Sequence, residues 1–414
     1  MSPSPWLVVV GAGRWQVHGI RCARAAGLRV LALDGAADAP GLAIADQAAV
    51  VDIRNSEEVI AVICKAGITP SGAIAFCSEV AMDSVAAVRE AFDLSGPKSE
   101  LTLRLRDKES QRARWTESGS PVPSWQAVST EKEALSALNE VGLPLIVKPV
   151  DSAGSRGVTR VDTRSELIPA FQAALTASKR GRVIIESYIA GIEYTIESFS
   201  CNGKTSVLLV TSKRKVEGTR GTVASELTSV AADSELFSKL ASVTSKALSD
   251  LGYTDGPGHT EIIVSSEGEA VLVESAGRGG GFSLFDEMIP LTSGFDIATA
   301  SALQSAGLAF AAPASNLMKA SILRFIPSQV GTVVGIHGFA QVSLGFDVHA
   351  EPLVELGQVC ESAHSDGDRM AYILATADTM DEAERLANRA ESSIHFEMST
   401  NEQSEDNRHT LALG

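Results

Sequence analysis

Residues 260–278 read TEIIVSSEGEAVLVESAGR, and how this stretch folds decides the architecture. Two apolar runs, 262–264 and 270–273, flank the turn-forming sequence SSEGE, the pattern of a β-hairpin. In such a hairpin Glu261 and Glu274 can project from one face. Two neighbouring carboxylates repel unless a cation lies between them, and a hard divalent ion takes oxygen ligands, so the pair is a candidate metal site. Arg278 follows four residues later, where a fixed guanidinium would face phosphate or a developing oxyanion. The small residues around it, Ala276, Gly277 and Gly279-Gly280-Gly281, read as room left for substrates.

Working outward, the preceding residues form a series of apolar strands: RVIIESYI, EYTIESFSCNG and TSVLLVTSK, with a hairpin turn at CNGK. Before them come a charged helix, LRLRDKESQRARWTESG, a helix at 130–141, the strand LPLIVKPV and a helix at 165–178. This middle region reads as antiparallel sheet with flanking helices. The first hundred residues instead alternate strand and helix: WLVVV, a helix at 15–27, RVLALD, QAAVVD, a helix at 56–66 and GAIAF. That alternation predicts a parallel, doubly wound sheet. The last hundred residues read as a smaller α+β unit, with strands near KASILRFIP, GTVVGIHG and MAYILATAD, a helix at 380–392 and a frayed polar tail. The fold class is therefore mixed α/β and α+β, with domains expected at 1–100, 101–312 (including a flap subdomain at about 115–185) and 313–414.

Composition narrows the function. The chain has 414 residues, 44% hydrophobic and 21% charged, as in a globular enzyme of two or three domains. Acidic residues outnumber basic ones, 51 to 35, which argues against a nucleic-acid partner. No apolar run approaches the ~20 residues of a membrane span, and the N-terminus lacks the basic region of a signal peptide, so a cytoplasmic location is expected. The five cysteines, 22, 64, 77, 201 and 360, are scattered without CxxC spacing and read as buried thiols, with neither a disulfide framework nor a zinc site.

Two loops bear on phosphate. Gly11-Ala12-Gly13 follows a strand, and Asp34 ends the next one, as in a dinucleotide-binding fold. Gln16 stands where the third glycine should be, however, so a Rossmann-like sheet without that cofactor is the better reading. The second loop is Asp151–Val158, just after Lys148 at the end of an apolar strand. Its small residues Ser152, Ala153, Gly154, Ser155 and Gly157, with Arg156, let backbone N–H groups approach phosphate oxygens beside a lysine point charge. Next, two strands flank a short connection suited to an adenine edge, with Glu186 before it and Glu193 and Glu197 after, where a carboxylate could take ribose hydroxyls. Alone, these alternating glutamates read equally as a solvated strand face.

Lys108, Lys148 with its Ser/Gly loop, the Glu186–Glu193 connection, Glu261 and Glu274 with Arg278 occur in an order that closely resembles the ATP-grasp superfamily over nearly the whole chain. The resemblance implies that Lys108 and Lys148 hold the α- and β-phosphates of ATP and that residues 152–157 form a flap over the γ-phosphate. It assigns Glu186, Tyr188 and Ile189 to adenine, Glu193 to ribose, and Glu261 and Glu274 to one or two Mg²⁺, with Mn²⁺ as the alternative ion. Arg278 would stabilise an acyl phosphate and the tetrahedral state after it, and Lys213 would meet the γ-phosphate or a substrate carboxylate. Within the superfamily, GPGHTE followed by VESAGRGGG is most similar to carboxylate–amine ligases of the L-amino-acid ligase type. There His259 would neighbour the substrates; alone it reads equally as a satisfied core histidine. Residues 220–222 and 279–281 would face small-molecule carboxylate and amine substrates, and a homodimer is the base-rate assembly. Ala276 departs from the E-x-N-x-R pattern of many relatives, which supplies an Asn oxygen to a second Mg²⁺. The alternatives are a carboxylase or purine-pathway ATP-grasp ligase, a nicotinamide-dependent oxidoreductase built on Gly11, Gly13 and Asp34, and a non-catalytic nucleotide-binding protein.

Overall fold

The structure is a computed structural model, described over residues 4–152, 154, 156–216, 223–313, 318–342, 347–362 and 367–399. The chain forms two compact units. The first is built from Met1–Ala127, Ile189–Val210 and Ala232–Met318, the second from Val128–Tyr188, Thr211–Ala231 and Lys319–Gly414.

In the first unit the strands Trp6–Val10, Arg29–Asp34, Gln47–Val50 and Pro70–Ile74 form a wholly parallel sheet, ordered third, second, first, fourth. The central strands are apolar throughout because helices leave little of them exposed; Val8, Val10, Leu31 and Leu33 pack with Val59 and Ile63 of helix Ser56–Lys65 and Val85 and Val88 of helix Met82–Ala91. Asp34 does not face outward to a ribose. Its two oxygens accept the backbone N–H groups of Ala12 at 2.6 Å and Ala36 at 2.9 Å, so the carboxylate shapes the glycine turn. Gln16 reaches across to the Sγ of Cys77, 3.3 Å away.

The same unit holds three antiparallel strands, Gly256–Ser265 between Ala270–Ala276 and Gly191–Cys201. Helix Glu235–Leu251, capped by Ser234, packs beside them, and Ala247 on it accepts the indole N–H of Trp115. The charged stretch expected as one helix is two, Ser99–Arg106 and Lys108–Glu117. The break is Asp107. Its backbone is extended and its carboxylate accepts the N–H and O–H of Ser110, each at 2.7 Å, which makes it an N-cap rather than a helix interior residue. Lys108 thereby becomes the first residue of a helix.

In the second unit Leu145–Pro149 lies antiparallel between Thr159–Val161 and Val183–Ser187. Helix Glu131–Val141, started by a Thr130–Glu133 capping box, and helix Leu167–Ala177 bury Leu138, Phe171 and Ala174 against Val147 and Ile185. The strands Ala224–Ser229, Ala320–Pro327, Arg369–Ala377 and Val348–Pro352 pair antiparallel in that order, with helix Met380–Ser393 packed on them. A further sheet joins Val359–Cys360, Gly331–His337 and His395–Ser399. The strand Lys204–Lys215 carries the chain from the first unit into the second, after a turn in which Asn202 and Gly203 both have positive φ, 50° and 79°.

All five cysteines are free. Only Cys360 among them is buried, which corrects the expectation for the others: Cys22, Cys77 and Cys201 are half-buried, and helix Ser56–Lys65 turns Val59 and Ile63 inward, which leaves Cys64 exposed. Among the described residues no helix is long and apolar enough to cross a membrane. Replacing Asp107 with Ala should lower unfolding stability by about 1–2 kcal/mol in urea titration, the usual worth of a lost N-cap; a change below about 0.3 kcal/mol would deny it that role.

Candidate active site

The site in the first unit grows from one register pair. Glu261 and Glu274 stand directly opposite each other on adjacent antiparallel strands, at the distance where like charges destabilise a sheet. The ammonium of Lys108 answers them, 2.9 Å from an oxygen of Glu274. Gln111, on the next turn of that helix, clamps the strand: its amide donates to the Ser275 carbonyl at 2.7 Å and accepts the Ser275 N–H at 3.0 Å. Burial pushes the Lys108 ammonium down, but Glu274, Glu79 and Glu261 outweigh it and hold the group above the ordinary lysine range.

Arg278 also feels the charge of Glu274, and its Nε donates to Glu79 at 2.5 Å. The second oxygen of Glu79 meets Arg106 at 3.1 Å, and Arg106 also pairs with Asp83. Burial would raise the Glu79 carboxyl; Arg278 and Arg106 overcome that and hold it below the usual carboxylate range. Sequence reasoning missed Glu79. It lies just past the C-terminal end of strand Pro70–Ile74, the edge at which open α/β sheets place their ligands, and that signal could have found it.

His259, two residues before Glu261, donates from Nδ1 to Glu197 at 2.5 Å, while its Nε2 lies 3.9 Å from Glu261. Glu197 is not on a solvated face. It is 1% exposed, and its other oxygen accepts the N–H of Gly280 at 3.0 Å. Burial works against the imidazolium, but Glu197 and then Glu261 prevail and raise His259 to about 9.

The glycines differ from the reading that they leave room for substrates. A Cβ on Gly277 would lie 2.8 Å from Leu105, one on Gly279 2.0 Å from Phe285, and one on Gly280 2.4 Å from Glu197; only Gly281 faces open space. Three non-glycine residues with positive φ, Phe76 (46°), Phe282 (54°) and Ser283 (62°), lie in the loops that join here, where Gly279 donates to the Phe76 carbonyl at 3.1 Å. Backbone strain of this kind persists where the surrounding structure over-determines it. Of the remaining residues in this unit, Glu193 stands half-buried opposite Ile263, and Ile189 follows the strand end.

The second unit carries the other predicted residues. Lys148 and Glu186 form a buried ion pair of 2.7 Å across adjacent strands. The Tyr188 ring lies 4.0 Å below the Arg160 guanidinium, and its N–H donates to Pro144. Ser152 donates to the Arg156 carbonyl at 2.9 Å, and Gly154 and Gly157 hold positive φ, 67° and 74°, that close the loop. Ala153, Ser155 and residues 220–222 lie outside the described residues, as does the polar tail beyond 399. Lys213 stands half-buried opposite Leu227, beside the Arg214–Glu226 pair.

A family model described as the ATP-grasp domain matches residues 141–286. The chain carries an ATP-grasp domain. A second model, L-amino acid ligase C-terminal domain 2, matches residues 324–399. A formate-dependent phosphoribosylglycinamide formyltransferase of Marinobacter nauticus is 28% identical over 184 residues, 44% of this chain and 46% of its own. A D-alanine–D-alanine ligase of Pseudomonas fluorescens is 39% identical over 90 residues, 22% of this chain and 27% of its own. The chain thus spans less than half the length of either curated relative. Among solved structures, the L-amino acid ligase from Bacillus licheniformis superposes with a TM-score of 0.83 over 97% of this chain and 100% of its own, at 20% identity. The fold is that of ATP-grasp ligases, a parallel N-terminal sheet followed by antiparallel sheets.

The raised His259 has a testable consequence. A pKa of about 9 against an ordinary 6.5 means the folded state binds the extra proton between those values. The pair's stabilisation is therefore complete below about 6.5 and is lost as pH rises through about 9. An NMR titration of the nucleotide-free and metal-free protein should place the imidazole midpoint near that upper value, and Glu197→Gln should move it down. A wild-type midpoint near 6.5 would overturn the assignment.

Proposed function

We propose that the chain is an ATP-dependent carboxylate–amine ligase that forms an amide or peptide bond between amino acids or amino-acid-like substrates, releasing ADP and phosphate. The observation that carries this reading is the charge-matched cluster of Lys108, Glu274, Glu261 and Arg278 on one hairpin and one helix start. Glu261 and Glu274 suit a hard cation: they are adjacent, offer oxygen only, and their side chains keep 20% and 23% exposure. They would hold one or two Mg²⁺, with Mn²⁺ as the alternative. Bound there, the ion would neutralise the phosphate charge of ATP. Ala276 gives a second ion no side-chain oxygen.

In this reading an oxygen of the carboxylate substrate attacks the γ-phosphorus, the bond to the β–γ bridging oxygen breaks, and ADP leaves. The acyl phosphate is then attacked at carbon by the amine, which gives up a proton as phosphate departs. Arg278, fixed by Glu79, would face the charge that develops at the acyl group. His259 would act as a standing cation beside the substrates and not as a base, because Glu197 keeps it protonated at neutral pH. Lys108 would exchange part of its contact with Glu274 for phosphate oxygen. Lys148, Glu186, Tyr188 and Ile189 are assigned to the nucleotide's phosphates and adenine, Glu193 to its ribose, and Lys213 to the γ-phosphate or a substrate carboxylate. Closure of the 152–157 loop would keep water from the acyl phosphate. Support comes from the ATP-grasp and L-amino acid ligase domain matches and from the ligase fold.

The test is ATP-dependent phosphate release screened over pairs of amino acids, with bicarbonate as a separate arm. Release that needs two amino acids supports the ligase, whereas release driven by bicarbonate would replace it with a carboxylase. Glu274→Gln should cut ADP release at least about a hundredfold with every active pair while the circular dichroism spectrum persists. Glu79→Gln, which weakens the hold on Arg278 without touching substrate, should lower kcat roughly tenfold or more and leave KM for ATP unchanged. An unaltered kcat in that variant would remove Glu79 from its positioning role.

A further inference from the structure

Apart from this site, three side chains of different chemistry converge in the first unit. His18 and Cys22 are four residues apart on helix Val17–Ala25, a spacing that puts them on one helical face, with His18 Nε2 and Cys22 Sγ 3.4 Å apart. Helix Ile297–Ser305 packs against that helix and begins at Asp296. The ligand atoms of His18, Cys22 and Asp296 all lie within 4.8 Å of one another.

We propose that His18, Cys22 and Asp296 form a binding site for a borderline-soft divalent ion of the Zn²⁺ type, with solvent completing the tetrahedron. The distances fit. Zn–S of about 2.3 Å and Zn–N of about 2.0 Å at a tetrahedral angle put sulfur and nitrogen roughly 3.5 Å apart, which is the spacing found. Asp296 is also held in place. One of its oxygens caps the helix by accepting the Thr299 N–H at 2.9 Å, and the other accepts no hydrogen bond among the described residues. Such an outer partner fixes the orientation of a ligating group. Mg²⁺ would not choose a thiolate, so the site is chemically distinct from the Glu261–Glu274 pair.

Without the ion the thiol keeps its proton. Burial and the charge of Asp296 push Cys22 upward, against a hydrogen bond with Thr299. When the S–Zn bond forms, the thiol proton passes to solvent. Asp296 is exposed and the other two residues are half-buried, so the ion can enter from water. CxxC spacing could not reveal the site, because the third ligand is far away in sequence and is delivered by helix packing.

The experiment uses the full chain freed of metal, without nucleotide. Co²⁺ serves as the spectroscopic probe and Zn²⁺ is titrated against a chromophoric chelator. One Zn²⁺ per chain is expected. Co²⁺ should give a thiolate-to-cobalt charge-transfer band with the strong visible bands of a four-coordinate ion. Cys22→Ser should abolish that band, and His18→Gln should weaken Zn²⁺ binding about tenfold or more. Glu274→Gln and Cys64→Ser should leave both readouts unchanged. Saturating Zn²⁺ should raise Tm in the wild type and not in Cys22→Ser. A wild-type protein without the charge-transfer band, or a band that survives Cys22→Ser, would overturn the site and leave a thiol–imidazole hydrogen bond.

Discussion

Two carboxylates facing each other across a β-ladder set the terms for everything around them. Glu261 and Glu274 are direct cross-strand partners, and a sheet tolerates like charges there only if a cation is delivered to them. The chain delivers Lys108, the first residue of the helix that Asp107 caps. The same logic spreads outward. Arg278 also answers the charge of Glu274 and pairs with Glu79; Glu79 in turn takes Arg106, which takes Asp83. Each charge in this series is paired, because a buried one left alone costs far more than a surface ion pair returns.

This alternation of sign suits a site that must accept a highly charged ligand. A preorganised set of fixed charges stabilises charge that develops in a reaction without having to reorganise. His259 fits the same design. Glu197 is almost wholly buried and holds the imidazole on one side and the Gly280 N–H on the other, so that one carboxylate sets both the protonation state of the histidine and the path of the glycine loop.

Much of this was legible in the sequence, and what was not shares a physical cause. The alternating strands and helices of the first hundred residues, the hairpin SSEGE and the turn CNGK are local signals, and the elements follow them. The facing of Glu261 and Glu274 follows from the hairpin's apolar pattern. Asp107 carried a readable cap signal, a short acid before a helical run, masked by the charged residues on both sides. Glu79 and Glu197 were harder. Glu79 meets Arg278 across 199 positions, and Glu197 looked like any outward strand residue until strand Gly256–Ser265 covered it. Strands such as Val359–Cys360 and His395–Ser399 are short, and their identity comes from the partner they pair with. Domain boundaries drawn at 100 and 312 follow changes of pattern along the chain, whereas the compact units follow contacts in space and both draw on the stretch 101–312.

The glycines after Arg278 show how a correct local reading can still assign the wrong reason. Glycine was expected there because substrates need room, yet at Gly277, Gly279 and Gly280 the room is filled by Leu105, Tyr253, Phe285 and Glu197. The loop therefore serves packing first. Without side chains the backbone can press against Phe285 and bring the Gly280 N–H to Glu197 while the Gly279 N–H reaches Phe76. Those bonds fix the backbone on which Arg278 stands, and the guanidinium closes the turn with its own bond to the Gly279 carbonyl at 2.9 Å. Gly281 alone is open. A side chain at Gly279 would press on Phe285, and one at Gly280 would press on Glu197, the carboxylate that holds His259.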